Sequence, residues 1–143
     1  MPDILHDLPI QAPIERVFEA VSTPRGLDRW WTKTAAGEPI HAATWQLGFG
    51  PGHDWRARVT RCTPHTTFEL ELVTADDDWR GSCVTFHLEP RGTATWLRFQ
   101  HTGWPTANEH YRISCNCWAA YLRILRRNLE HGETVPYERR LDV

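Results

Sequence analysis

Hydrophobic and polar positions alternate with period two in a series of short runs, one near the start and the rest through the middle of the chain. Near the start, Ile4, His6, Leu8 and Ile10 share one phase, and Leu5, Asp7 and Pro9 take the other. In the middle the inward phase runs through Trp45, Leu47 and Phe49, then Trp55, Ala57 and Val59, then Phe68, Leu70 and Leu72. Val84, Phe86 and Leu88 continue it, and Leu97, Phe99 and His101 close it. The opposite phase carries Arg56, Arg58, Thr60, Glu69, Glu71, Cys83, Thr85, His87, Trp96, Arg98 and Gln100. One covered face and one wet face predict an antiparallel sheet. The turn-rich stretches "GPGHD", "TPHT", "ADDDWRG" and "PRGT" separate its strands.

Elsewhere the spacing changes to three and four. Pro13 is expected to open a short helix, "PIERVFEAVS", with Val17, Phe18 and Val21 as its apolar stripe. Thr23 then caps a second short helix that begins at Pro24. The last element is the longest. Thr106 with Glu109 reads as a capping box and Gly132 as a stop, predicting a helix of about 25 residues. Tyr111, Cys115, Trp118, Tyr121, Leu122, Leu125 and Leu129 fall on one stripe of it. Ile113, Cys117, Ala120 and Ile124 widen that stripe to roughly 220° of arc. Arg112, Asn116, Arg123, Arg126, Arg127 and Glu130 are left for solvent. So wide an apolar arc calls for a curved partner, a sheet that grips the helix. Gly48, Gly50 and Gly52 fit either a sharp bend in that sheet or an ordinary turn.

At 143 residues the chain fits one domain, 1–143, of α+β class. Its charge of −2 gives no electrostatic case for nucleic acid or anionic lipid. The start has no basic region before an apolar run, and no window is apolar for long enough to span a bilayer. A cytoplasmic protein without membrane insertion is expected. Cys62, Cys83, Cys115 and Cys117 lack metal-ligand spacing, so free thiols and no metal are expected. Tryptophan is unusually frequent, at eight against five Phe and three Tyr. Trp30 and Trp31 are adjacent and cannot share a face of a regular element.

Candidate chemistry is sparse. No nucleophile, zinc or phosphate-loop motif is present, so no catalytic residue and no cofactor are assigned. Asp76, Asp77 and Asp78 read as a solvated hairpin tip, with Trp79 packed over it. His6 and His101 lie on inward phases, either as core histidines or as a polar handle or acid–base group.

The order of strand, two short helices, antiparallel strands and long final helix resembles the helix-grip fold of the START-like, or SRPBCC, superfamily. The nearest resemblance is to its branch of heat-shock-protein ATPase activator homologues. "PIERVFEAVSTPRGLDRWWT", "VTFHLEPRGTATWLRFQHTGW" and "CWAAYLRILRRNLEHGE" carry it. The resemblance implies an apolar cavity between sheet and long helix, with Trp30 closing the short-helix corner and Trp31 nearer the mouth. A small hydrophobic or aromatic ligand would then meet Trp31, Trp45, Phe49, Phe86, Phe99, His101, Tyr111 and Trp118. Lipid binding and a stress-response role go with the same resemblance. Two other functions stay open: an adaptor that stimulates a chaperone ATPase, and a cyclase- or hydrolase-type enzyme using the same cavity.

Overall fold

A computed structural model describes residues 2–142. β1 (Ile4–Ile10) leads into α1 (Ile14–Ser22) and α2 (Pro24–Leu27). Six strands follow: β2 (Thr34–Ala36), β3 (Thr44–Gly48), β4 (Asp54–Thr63), β5 (Thr67–Thr74), β6 (Cys83–Arg91) and β7 (Ala94–Thr102). The chain closes with α3 (Glu109–His131) and a 3₁₀ segment, Tyr137–Asp142. All seven strands form one antiparallel sheet in the order β1-β7-β6-β5-β4-β3-β2. β1 therefore pairs with the last strand, Ile4 opposite His101 and Ile10 opposite Thr95. This is the helix-grip arrangement that the alternation predicts.

Curvature has identifiable sources. β4 carries two register shifts against β5, between Arg56 and Ala57 and between Val59 and Arg61, and such bulges bend and twist a strand. The three glycines divide between the two readings. A Cβ on Gly48 would lie 2.5 Å from Thr34 Oγ1, so this glycine lets β2 approach β3. Gly50 and Gly52, at φ +104° and +81°, turn β3 into β4.

Two helix starts differ from expectation. Pro13 lies outside α1, because its ψ of 150° is extended; it caps the helix only through its carbonyl, which accepts from Arg16 N and Val17 N. α3 starts from Asn108 and not from Thr106. Asn108 Oδ1 accepts from Tyr111 N at 2.9 Å, and its Nδ2 donates to Asp78, a second contact that fixes the start two residues later. Gly132, left-handed at φ 68°, ends the helix as expected.

The core lies between the concave face of the sheet and the helices. Trp30 and Trp31 both reach it, each about 1% exposed. Their backbone is a turn in which Trp30 N, Trp31 N and Thr32 N all donate to Leu27 O, so the one-face rule of helices and strands does not apply. Trp30 points to the α1 side, where its Nε1 donates to Ala20 O and its ring meets Phe86 edge-on. Trp31 points to α3, 5.0 Å from the Trp118 ring.

Candidate functional site

The inward rings pack on one another. Trp118 lies 4.4 Å from Phe99 and 5.8 Å from Trp79, Phe86 lies 5.5 Å from Phe99, and all four are at most 8% exposed. These side chains fill the space in which the resemblance implied a deep cavity. The open volume that aromatic rings line is instead a cleft of about 200 Å³ between the β3–β4 hairpin and α3. Trp31 forms one wall, and Phe49, His53 and Trp55 of the β3–β4 hairpin form the next. Trp79, from the β5–β6 connection, contributes a third side. α3 supplies His110, Ser114, Cys117 and Tyr121, spaced four, three and four residues apart and so on one stripe, with Ile113 beside it.

Of the residues expected at the ligand, Trp31 and Phe49 line this cleft. Trp118, Phe99 and Phe86 form the packed layer behind. Trp45 is remote, buried against Phe68 with its Nε1 donating to Glu38 O. Tyr111 stacks edge-on against Trp104 and ties α3 to the N-terminal segment through a hydroxyl bond to Asp3 O. Trp55, Trp79, His53, His110, Ile113, Ser114, Cys117 and Tyr121 were not anticipated as lining residues. The α3 members could have been found from their 4-3-4 spacing, and Trp55 from its inward phase. Trp79 carries no periodic signal.

His101 is wholly buried, with both ring nitrogens bonded. Trp118 Nε1–H donates to Nδ1 at 3.1 Å; an indole can only donate, so Nδ1 holds a lone pair and Nε2 holds the proton. Nε2 then donates to Ser82 Oγ at 2.7 Å, and Ser82 donates to Trp79 O. Burial, with a smaller push from His110, brings the His101 pKa down to about 3. The ring is thus a neutral brace that joins Trp118 to the Trp79 loop. His6 is half-buried, its Nε2 3.2 Å from Cys115 O, beside a groove lined by Asp7, Arg123 and Arg126.

The cleft itself holds no carboxylate and no Lys or Arg among its lining residues. Burial, then Cys117 and Tyr137, push the Tyr121 phenol up to about 12, and burial raises the Cys117 thiol. Both stay protonated near neutrality. A ring-lined recess with no carboxylate, Lys or Arg in its lining and a few polar tips suits an apolar molecule with few polar groups.

The final segment holds two of the cleft's walls. Tyr137 Oη donates to Phe49 O at 2.9 Å. Arg140, 6% exposed, donates to Asp28 O at 2.6 Å, Thr32 O at 3.0 Å and Val135 O at 3.2 Å, which fixes the turn that carries Trp31.

Residues 11–130 match the family described as Activator of Hsp90 ATPase homolog 1-like protein. The chain belongs to this Activator of Hsp90 ATPase homolog 1-like family. The family is part of the START-like, SRPBCC superfamily, whose fold is in general a ligand-binding one. Among solved structures, the Aha1 dimer from Colwellia psychrerythraea is similar at 28% identity and a TM-score of 0.84, over 93% of this chain and 99% of that one. A protein from Bacillus halodurans is similar at 27% identity and 0.76, over 91% and 98%. CalU16 from Micromonospora echinospora shares the fold at 20% identity and 0.74, over 98% and 84%. No curated protein matches the chain. Among the described residues of this family member, no helix is long and apolar enough to cross a membrane.

Proposed function

We propose that the protein binds a small, flat, hydrophobic or aromatic molecule in the cleft between the β3–β4 hairpin, the Trp31 turn and the first half of α3. One observation carries this reading. Four aromatic rings, Trp31, Phe49, Trp55 and Trp79, converge on a single recess with no carboxylate, Lys or Arg in its lining. Phe49 and Trp55 lie 5.0 Å apart and Trp55 and Trp79 5.2 Å apart, a curved aromatic wall onto which a ring can stack. Trp118 and Phe99 support that wall from behind and meet the ligand only through it. Trp45 and Tyr111 are not among the cleft's lining residues.

The family name favours a second reading, an adaptor for a chaperone ATPase, and the similar Colwellia protein is an Aha1 dimer. Such a role needs a joined apolar surface. The exposed apolar residues Leu5, Ile40, Val73, Ile113 and Leu141 are the candidates for such a surface, while the ring-lined cleft favours ligand binding.

Titration with a flat aromatic probe such as 2-methoxynaphthalene should quench tryptophan fluorescence saturably. Trp55→Ala should weaken that binding several-fold, since an aromatic pair contributes about 0.5–1.5 kcal/mol beyond its burial. Linear, unsaturable quenching would count against the site.

A further inference from the structure

His110 sits in the first turn of α3 and lines the cleft. Its Nδ1 lies 3.0 Å from Asp78 Oδ2, and its ring meets Trp104 edge-on at 5.4 Å. Asn108 Nδ2 donates to the same carboxylate oxygen at 3.3 Å. The His110 bond first, and the Asn108 bond second, hold the Asp78 carboxyl below the usual carboxylate range. An ionised carboxylate only accepts, so Nδ1 must carry the proton. In the neutral ring Nε2 is then a lone pair, and among the described residues the ring's one side-chain hydrogen bond is the Nδ1 bond to Asp78. The other polar tips of the cleft differ from it. Ser114, Cys117 and Tyr121 each carry a hydrogen to give beside their lone pairs, Trp79 Nε1–H is a buried donor without a partner, and His53 is exposed at the rim, so within the rim His110 Nε2 is the acceptor that carries no hydrogen of its own.

We infer that His110 Nε2 is the polar anchor of the cleft, and that it selects flat aromatic ligands bearing a hydrogen-bond donor, such as a phenol or enol hydroxyl, over the same rings without one. The inference rests on the binding reading above. Asp78 acts as a positioning residue that fixes the tautomer, as a carboxylate behind an imidazole does elsewhere. The ring stacks on the aromatic wall while its hydroxyl donates to Nε2. An ether or bare ring in the same place would strip that nitrogen of water and give nothing back.

Calorimetric titration at pH 8 with 2-naphthol and 2-methoxynaphthalene tests this, because the two probes share a ring system and only the first can donate. The wild-type protein should bind 2-naphthol about tenfold more tightly, the difference one hydrogen bond makes. His110→Phe keeps a ring against Trp104 but removes the lone pair, and should bring 2-naphthol to the affinity of the ether. Asp78→Ala removes the carboxylate that fixes the His110 tautomer and should shrink the preference, which serves as the second variant if His110→Phe folds poorly. Equal wild-type affinities, a preference that survives His110→Phe, or one unchanged in Asp78→Ala would overturn the inference while leaving the binding reading in place. If neither probe binds, the binding reading itself fails.

Discussion

His101 occupies an inward phase of β7 that an apolar residue would fill more cheaply, and its reason for being there is the pair of groups it satisfies. Replacing it with Phe would orphan Trp118 Nε1–H and remove the partner of Ser82 Oγ. A loss of about 1–3 kcal/mol per unsatisfied group follows, measurable by urea unfolding. The same burial predicts a pH dependence. With a folded pKa of about 3 against an ordinary 6.5, the unfolded chain binds more protons between those values. Stability from this site is therefore complete above pH 6.5 and declines as pH falls toward 3. Unfolding free energies from urea titrations at pH 7 and pH 5 should differ by about 2 kcal/mol more in wild type than in His101→Gln. Equal pH slopes would mean that the histidine is not held neutral. Arg140 illustrates the opposite case, a buried charge whose donors meet three backbone carbonyls. Arg140→Met should cost at least about 1–3 kcal/mol and loosen the Trp31 turn, visible as weaker probe binding by a protein that remains folded.

Among the elements, α3 allows the sharpest comparison, because its phase follows from sequence and its start does not. Leu122 and Leu125 are buried and Arg123 is exposed, in the predicted phase. Leu125→Ala should cost roughly 2–5 kcal/mol and Arg123→Ala no more than about 0.5 kcal/mol in urea titration. Asn108→Ala should cost about 1 kcal/mol and Thr106→Ala almost nothing; equal losses would restore Thr106 as the cap. The strands were legible because each buries one face, so period two survives in the residues themselves. β2 has three residues and the final 3₁₀ segment six, too short for any period to emerge. Tertiary partners hold both: β3 pairs with β2, while Phe49 O and the Asp28–Thr32 turn receive the 3₁₀ segment. Ile113 went the other way. It extends the apolar arc but is 54% exposed, because the sheet does not reach that side of the first turns of α3, where the cleft opens.

For the molecule as a whole, the order of elements predicted the fold, and inward phase separated core from surface, but phase could not separate core from cleft. Phe99 and Phe49 both point inward, yet one is packed under Trp118 and the other borders open space. That distinction depends on where the β3–β4 hairpin and the β5–β6 connection fold back, which loop residues such as Trp79 decide without any periodic trace. The tryptophan excess now has a division of labour. Trp30, Trp45 and Trp118 build the core, and Trp31, Trp55 and Trp79 face the recess. Each indole N–H gives its own signal in a nitrogen–proton correlation spectrum, so the eight report the ligand's position directly. On titration with 2-naphthol, the Trp31, Trp55 and Trp79 indole signals should move together and saturate. Trp45, bound to Glu38 O, and Trp96, covered by Arg91, should stay in place. Shifts at Trp45 or Trp96 with Trp31, Trp55 and Trp79 unmoved would contradict the assignment of the cleft as the binding site.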